Sequence, residues 1–452
     1  MTYRLNRRHF LSACGSTLAL APFARSVLAQ PNSDYRALVI IFQTGGVDCH
    51  DTVLPYDSAA YNAFAEIRAP LLDLYGQSRE RNALLPLETN GSSTGFALPP
   101  ELSGLKTLFD EGSAAIIGNV GPLIEPTNLD DLLAGYPNLP PRLFSHNDQQ
   151  SIWQANNPEG AQFGWGGLFA DAVVASGLTA TSPFTTVATG SETLLLTGMD
   201  TFPFSGNGSL NIELQGIVAD STGLSLNQLG ALLTNQGQTA EHILMRDLSQ
   251  MTIDAFANNR AYASATSNAP DLGVQFPGGR VGRQLENIAR TIAVRDEFSI
   301  NRQIFMAVAP SYDTHDFQAE TLPALHTQLD SSILAFTEAM KNLGMFGDVV
   351  VATASDFGRT LSVNGDGTDH GWGGHHFVVG GAVNGGTIYG DIPDPVYNHP
   401  QDSGRGRLIP TISVDQYAAE LGRWFGLTES ELDIALPNRL NFSNAPLENL
   451  LI

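Results

Sequence analysis

The chain has 452 residues and is strongly acidic, with 46 Asp and Glu against 23 Lys and Arg and a formal net charge of −23 at pH 7. Such a charge repels nucleic acid and anionic membranes, so neither is expected as a partner. The sequence has only 2 cysteines, which excludes a disulfide-rich scaffold, and stability has to come from a large packed core.

The N-terminus has the order of a twin-arginine export signal. The pair Arg7-Arg8 precedes a weakly apolar run that extends to Ala24, and small residues up to Ala29 form a signal-peptidase site. The apolar run is shorter than the ~20 residues that a spanning helix needs. We therefore expect residues 1–29 to be a cleaved signal peptide that engages the twin-arginine translocase. Residues 30–452 are then a periplasmic or secreted protein with no membrane anchor.

A lipoprotein signal is the alternative, because Leu11-Ser12-Ala13-Cys14 resembles a lipobox. In a lipobox the apolar region precedes the cysteine, whereas here most of it follows, so cleavage after Ala29 is favoured. Cleavage there removes several arginines and no acidic residue, which makes the mature chain still more acidic. It also leaves Cys49 as the only cysteine, so no intrachain disulfide can form.

The mature chain alternates strand and helix patterns. Strands are predicted at 37–42, 114–118, 304–309, 349–353 and 377–379, and helices at 101–111, 145–154, near 241 and 281, and at 320–343 and 414–425. A polar, glycine-rich stretch at 197–221 separates the two halves of this pattern. Ser413 and Gln416 form a capping box for the last helix, and Gly426 follows its end. The uninterrupted apolar strands predict an α/β fold with a largely parallel central sheet and helices on both faces.

Polar segments follow these strands. They are Gln43 to Asp51, Ser311 to His315, Ser355 to Arg359, and the loop from Asp366 to His376 that leads into the next strand. Ligands of open α/β sheets bind beyond the carboxyl ends of the strands, and carboxylates with imidazoles suit a divalent cation. Any one of these residues is better explained as a turn residue that bonds the backbone. Their co-location predicts a shared functional site.

Five motifs, four of them within these segments, resemble a known family. The motifs Phe42–Asp48, Ser145-His146, Asp313–His315, Ser355–Arg359 and Asp369–His376 occur in the order found in the exported family DUF1501. That family is placed among alkaline-phosphatase-like and sulfatase-like folds, and no activity is established for it. The resemblance implies one alkaline-phosphatase-like domain over residues 30–452, with metal-dependent ester hydrolases as relatives.

The resemblance carries over only in part. Where the relatives have a metal-binding aspartate after the first strand, this chain has Gln43 and Thr44, with Asp48 a few residues later. Their Asp-His dipeptide becomes Asp356-Phe357, so one imidazole is missing there. These departures argue against a two-metal site and for one divalent metal ion or none.

The first functional hypothesis is a metal-assisted hydrolase of phosphate or sulfate esters. Its candidate metal ligands are Asp48, Asp313, His315, Asp356, His370 and His376, with His375 as an alternative to the last two. Its candidate catalytic residues are Ser145 as the nucleophile at a helix N-terminus, His146 as a base or ligand, and Arg359 as an anion clamp.

Each catalytic role has a structural alternative. Ser145 is also explained as a helix cap, His146 as a polar residue at a helix start, and Arg359 as a partner of Asp356 or Asp366. Cys49, between Asp48 and His50, is a candidate thiolate nucleophile, but a small buried side chain is the favoured explanation, because neighbouring acids raise a thiol pKa. The second functional hypothesis is a non-catalytic periplasmic binding or assembly protein that binds an exported protein partner and retains the fold without the chemistry.

Overall fold

The computed structural model describes residues 34–205 and 242–452. The predicted signal peptide and most of the glycine-rich stretch at 197–221 lie outside these ranges. The strands are β1 Arg36–Gln43, β2 Leu54–Pro55, β3 Leu85–Thr89, β4 Ser92–Leu98, β5 Ala114–Gly121, β6 Thr186–Ala188, β7 Phe204–Ser205, β8 Arg302–Ala309, β9 Val349–Ser355, β10 Arg359–Val363, β11 Thr368–His370, β12 Gly374–Gly380, β13 Ile388–Tyr389 and β14 Ile412–Ser413.

Along the sequence, the α-helices mainly connect strands of the central sheet. They are α1 Cys49–Thr52, α2 Ser58–Tyr75, α3 Ser103–Asp110, α4 Leu129–Ala134, α5 His146–Ala155, α6 Trp165–Ala175, α7 Ile243–Ser267, α8 Arg280–Ala293, α9 Gln318–Asn342, α10 Val414–Phe425 and α11 Glu429–Ala435. None of these helices is both long and apolar enough to cross a lipid bilayer.

Nine strands of the described ranges form the central sheet, in the order β13-β5-β12-β9-β1-β8-β6-β7 with β14 also paired to β5. All of the pairs are parallel except those that β12 makes with β5 and β9. The α/β class with a largely parallel sheet is therefore confirmed. Two small antiparallel sheets, β2-β4-β3 and β10-β11, accompany it and were not predicted.

The register of the central strands places their ends side by side. Gln43 at the end of β1 lies opposite Ala309 of β8 and Ser355 of β9. The loops that leave these three strands therefore begin at one edge of the sheet. Because β12 runs in the opposite direction, its first residue, Gly374, lies at the same edge, and so does the segment that precedes it.

The core consists of two apolar layers, one on each face of the sheet. In β1, Val39 and Ile41 pack into one layer, while Leu38, Ile40 and Phe42 pack into the other. The first layer is covered by α3, α8 and α9, and the second by α5, α6, α10 and α11. This two-sided burial explains why the strand is apolar at every position, since successive side chains point to opposite faces.

Candidate functional site

A glycine allows two strand-end loops to meet at the sheet edge. Gly45, just after β1, has φ +117°, a backbone region that favours glycine. A Cβ atom there would lie 2.3 Å from the backbone nitrogen of Asp313, so no other residue fits without displacing that backbone. The Gly45 N–H also donates to Oδ2 of Asp356 at 3.2 Å. The loops after β1, β8 and β9 are therefore joined at this point.

The carboxylate of Asp313 is the centre of a cluster of imidazoles. Its oxygens lie 3.4 Å from Nε2 of His146, 3.2 Å from Nε2 of His315 and 3.3 Å from Nε2 of His370. The Nε2 atoms of His315 and His370 lie 2.8 Å apart. The four side chains come from the start of α5, the loop after β8 and the end of β11. The tertiary structure thus brings three imidazoles to one carboxylate.

Two of these imidazoles hydrogen-bond an acceptor through the other nitrogen, and the third lies near a carboxylate. Nδ1 of His146 lies 2.7 Å from Oδ2 of Asp356, Nδ1 of His370 lies 2.8 Å from the Phe144 carbonyl, and Nδ1 of His315 lies 3.5 Å from Oδ1 of Asp369. A carbonyl oxygen can only accept, so Nδ1 of a neutral His370 carries the proton and its Nε2 presents a lone pair to the cluster. Asp356 imposes the same tautomer on His146.

Backbone strain accompanies the contact to His370. Phe144 has φ +73°, which is unfavourable for an aromatic residue and is found mainly where the surrounding structure imposes it. This conformation is the one in which its carbonyl accepts from Nδ1 of His370. The backbone conformation of Phe144 that holds the His370 imidazole is therefore not the one that a phenylalanine favours by itself.

The electrostatics differ from one imidazole to the next. The hydrogen bond to Asp356 raises the pKa of His146, whereas burial lowers the pKa of His370. Burial opposes ionisation of Asp313, but the hydrogen bond and charge of Arg359 outweigh it, and the net effect lowers the Asp313 pKa. At neutral pH the cluster therefore presents a carboxylate and a neutral His370, both of which can bind a cation.

The cluster is open to solvent. The side chains of His370, His146, His315 and Asp313 are 22%, 29%, 37% and 44% exposed. Asp356, in contrast, is completely buried beneath them. A small ligand can therefore reach the ring nitrogens while the carboxylate that orients His146 stays shielded from water.

Comparison with known proteins places the chain in a family. Residues 134–435, more than half of the chain, match the family described as "Protein of unknown function (DUF1501)". The chain belongs to this family. The search of curated proteins gave no match for this DUF1501 protein.

Solved structures give weak similarities to the DUF1501 protein. They include Ps i-CgsB in complex with a neocarrahexaose (10% identity over 88% of this chain and 74% of the other, TM-score 0.35) and the PsFucS1 sulfatase from Pseudoalteromonas sp. (10%, 92% and 72%, 0.34). A mutant of the alkaline phosphatase PafA is also similar (11% identity over 72% of this chain and 63% of the other, TM-score 0.25). One sulfatase and one alkaline phosphatase are thus among the structures that the chain resembles, and similarities of this size do not decide its activity.

Among the predicted site residues, the structure brings His146, Asp313, His315, Asp356, His370 and Arg359 together. Asp356 contacts the cluster through His146, because its Oδ2 atom accepts from His146, from Nε2 of Gln150 at 2.8 Å and from Gly45. Its position is that of a carboxylate that orients an imidazole, rather than that of a central ligand. Its second oxygen, Oδ1, is buried and has no partner among the described residues.

Arg359 is fully buried and its nitrogens already have partners. Its guanidinium donates to Oδ1 of Asp313 at 2.9 Å, to the Gly45 carbonyl at 3.3 Å and to the carbonyl of Thr368 at 2.8 Å. The geometry therefore replaces the predicted anion clamp with an arginine that fixes the position of Asp313. The predicted structural partners, Asp356 and Asp366, are not the ones it uses.

Asp48 lies outside the cluster. It caps α1 by accepting from the His50 backbone N–H at 3.1 Å, and it forms a two-pronged ion pair with the buried Arg68, at 2.5 Å and 3.0 Å. Gln318 donates to it at 2.6 Å. Burial opposes its ionisation, but Arg68 lowers its pKa overall. The predicted metal ligand is thus a structural carboxylate.

His376 also lies away from the cluster, within the apolar layer beneath α5 and α10. Its ring packs edge-on against Trp153, with centroids 5.0 Å apart, and stacks on Tyr417 at 6.1 Å. Burial lowers its pKa to about 3. Its strand position points it into the core instead of toward the loops. His375 faces the opposite side of β12 and accepts from the backbone N–H of Asn119 at 3.0 Å.

Ser145 precedes α5 but does not cap it with its side chain. Its hydroxyl instead donates to Oδ2 of Asp148 at 2.9 Å. Burial opposes ionisation of Asp148, but this hydrogen bond contributes to a net lowering of its pKa, so Asp148 is a weak base for activating the hydroxyl. Cys49 is buried, and burial raises the pKa of its thiol to about 12, which agrees with the structural alternative.

Sequence reasoning missed three residues of the site. Gln150 bonds Asp356, Phe144 supplies the carbonyl for His370, and Asp369, which was noted within a motif, faces His315. Gln150 follows His146 by about one helical turn, and this spacing places both side chains on one face of α5. That spacing was the available signal, whereas the role of the Phe144 carbonyl has no signal in the residue type.

Proposed function

We propose that this DUF1501 protein is an exported, metal-dependent hydrolase of phosphate or sulfate esters. Its divalent cation would be held by His146, Asp313 and His370, whose donor atoms lie within reach of one ion, with His315 beside them. The observation that carries the proposal is that three imidazoles face one carboxylate with Nε2. Nδ1 of His146 and Nδ1 of His370 each hydrogen-bond an acceptor, and Nδ1 of His315 lies 3.5 Å from Asp369. Metal-ligating histidines have this arrangement, because the partner at the other nitrogen fixes the tautomer and the ring orientation.

The donor atoms fit a metal ion in chemistry and in spacing. Suitable atoms of His146, Asp313 and His370 lie within 4.8 Å of one another. With metal–ligand bonds of about 2.0–2.2 Å, neighbouring donors lie about 3.3–3.6 Å apart in a tetrahedron and about 2.8–3.1 Å apart in an octahedron. The distances from Asp313 to the imidazoles, 3.2 to 3.4 Å, and the 2.8 Å between His315 and His370 fall in or close to these ranges.

A second observation supports an added charge at this place. Oδ1 of Asp356 is buried without a partner among the described residues, and a buried unpaired carboxylate oxygen is unfavourable. A cation held by His146, which is bonded to the other oxygen of the same carboxylate, would offset the buried negative charge. Imidazoles together with a carboxylate suit Zn²⁺ and related first-row divalent ions.

The residues of the chain define what the site would do. A divalent cation supplies Lewis-acid polarisation of an ester oxygen and lowers the pKa of water. Arg359 holds Asp313 in place, and Asp356 holds His146 in the tautomer that leaves Nε2 free. Because Asp148 is a weak base, Ser145 is poorly activated, and we favour water over Ser145 as the attacking group.

Metal content and ester hydrolysis of the purified mature protein test this proposal. We expect about one divalent ion per chain and turnover of aryl phosphates or aryl sulfates. His370→Ala and Asp313→Asn should lose both properties, while His242→Ala, which alters an exposed histidine at the start of α7, should keep them. Absence of stoichiometric metal together with no turnover with any divalent ion would refute the proposal and leave the binding or assembly protein.

Export has its own test. Fractionation of cells that express the full chain should recover the mature protein outside the cytoplasm. Substitution of Arg7 and Arg8 by lysine should leave the longer precursor in the cytoplasm, because the twin-arginine pathway reads this pair. Equal export of the lysine variant would contradict the predicted route.

A further inference from the structure

One arginine next to the cluster is held firmly by groups other than carboxylates. Nε of Arg407 donates to the backbone carbonyl of His370 at 2.8 Å, and its guanidinium lies 5.1 Å from the centroid of the Phe144 ring. One terminal nitrogen makes a long contact of 3.4 Å to the carbonyl of Gly404. Arg407 is thus held by the backbone of His370 and by the ring of Phe144, the residue whose carbonyl bonds the His370 imidazole.

The other arginines around the site are all paired with carboxylates. These pairs are Arg359 with Asp313 at 2.9 Å, Arg405 with Asp369 at 2.6 Å, and Arg142 with Asp148 at 3.2 Å. Within residues 34–205 and 242–452, Arg407 forms no such ion pair. Although the chain has twice as many acidic as basic residues, the half-buried guanidinium of Arg407 contacts only backbone carbonyls and an aromatic ring among the described residues.

We propose that Arg407 binds the tetrahedral oxyanion of the substrate, the phosphate or sulfate group of an ester, beside the cluster. This inference rests on the proposed function and names the substrate contact of the same site. Nε of Arg407 donates to a backbone carbonyl, and one face of its guanidinium packs on the Phe144 ring. Terminal N–H groups of the guanidinium therefore remain available to a ligand. The guanidinium fork matches two oxygens of such a group, while a third oxygen can face the cluster.

The location also explains how an acidic protein can bind an anion. Long-range repulsion from the net charge of −23 opposes the approach of an anion. At contact distance, however, a fixed and partly desolvated cation is screened less by solvent than an exposed one. Asp313 and Asp369 are each already paired with an arginine. Asp369 and Asp402 act on Arg407 only through their charge and not through an ion pair, so an anion would displace no carboxylate of the described residues from its guanidinium.

Equilibrium binding of inorganic phosphate and of inorganic sulfate tests the inference. Calorimetric titrations would use the mature protein with its metal and after removal of the metal by a chelator. Arg407→Gln should weaken oxyanion binding by about 10- to 100-fold, the range expected for loss of a charged hydrogen-bond donor, with metal content and thermal unfolding unchanged. Arg407→Lys should recover only part of the loss, because it keeps the charge without the fork. The control is Arg423→Gln, which alters an exposed arginine on α10 that pairs with Glu420 and Glu429.

The outcomes separate this inference from the proposed function. Loss of oxyanion affinity in the Arg407→Gln protein with and without metal supports the inference even if no ester is hydrolysed. The relative affinities for phosphate and sulfate show which group the site takes. The inference is overturned if the wild-type protein binds neither anion at millimolar concentration, or if Arg407→Gln binds them as the wild type does. Loss of metal from the Arg407→Gln protein also overturns it, since Arg407 would then only position His370.

Discussion

The carboxylate beneath the cluster gives the sharpest prediction, because Asp356→Asn changes charge with little change in shape. Oδ2 of Asp356 accepts from His146, Gln150 and Gly45, and the amide oxygen of an asparagine can accept from the same three donors. Its NH₂ group would replace Oδ1, which has no partner to lose among the described residues. The fold should therefore be retained, and the variant isolates the effect of the buried negative charge.

The expected effect is on metal affinity. The hydrogen bond to Asp356 raises the pKa of His146, so the carboxylate makes this imidazole a better electron-pair donor. Loss of such a partner weakens metal binding by about 10- to 100-fold, equivalent to about 1.4 to 2.7 kcal/mol. Competition with a chelating dye at fixed pH would measure the dissociation constant, and urea unfolding of the metal-free protein would confirm that the fold is retained.

Asp148→Asn is the matched control for this measurement. Asp148 also lies in α5 and is buried, but its carboxylate bonds Ser145 and Arg142 rather than a cluster imidazole. We expect it to leave metal affinity unchanged. If Asp356→Asn binds metal within about twofold of the wild type, or if Asp148→Asn weakens binding equally, the assignment of Asp356 as the residue that orients His146 is wrong.

Three further predictions follow from residues on either side of the cluster. Asp48→Asn should lower the free energy of unfolding in urea by about 3 kcal/mol, since it leaves a buried arginine unpaired, and metal content should not change. Because the folded-state pKa of His376 is about 3, below the ordinary value of 6.5, only the unfolded chain takes up its proton as pH falls below 6.5. The free energy of unfolding should therefore fall on acidification. Between pH 7.5 and pH 5 this fall should be about 2 kcal/mol smaller in His376→Phe than in the wild type, and equal falls would contradict the assignment. Gly45→Ala should weaken metal binding in the dye assay by displacing Asp313, whereas Gly91→Ala, where φ is also positive but a Cβ meets open space, should not.

Sequence periodicity was sufficient for the fold class, although helices such as Ser58–Tyr75 and Trp165–Ala175 were not predicted. The apolar run of β1 and the capping box at Ser413 both report local requirements, namely burial on two faces and satisfaction of the first N–H groups of a helix. Such requirements are met by neighbouring residues, so they are visible in one stretch of chain. The extended ends of β5 and β12 and the two small sheets escaped prediction because strand pairing is a property of distant segments.

The candidate site was only partly determined by the sequence. Polar residues after β8 and β9 were expected to meet, because parallel strands in register begin their loops at one edge. The residue types did not reveal which of His370, His375 and His376 faces that edge. The antiparallel direction of β12 places its start there, and the alternation along the strand sends His375 and His376 to opposite buried faces.

By itself, the amino-acid sequence determined an acidic chain with an export signal pattern, an α/β alternation and a set of carboxylates and imidazoles at strand ends. The tertiary structure decided which of these meet. Asp48 does not take part in the cluster, because it forms an ion pair with Arg68 of α2. His146 does take part, because Asp356, which follows the distant strand β9, bonds its imidazole. The sequence determines which residues carry charge, but chain topology and strand register determine which partners neutralise or orient them.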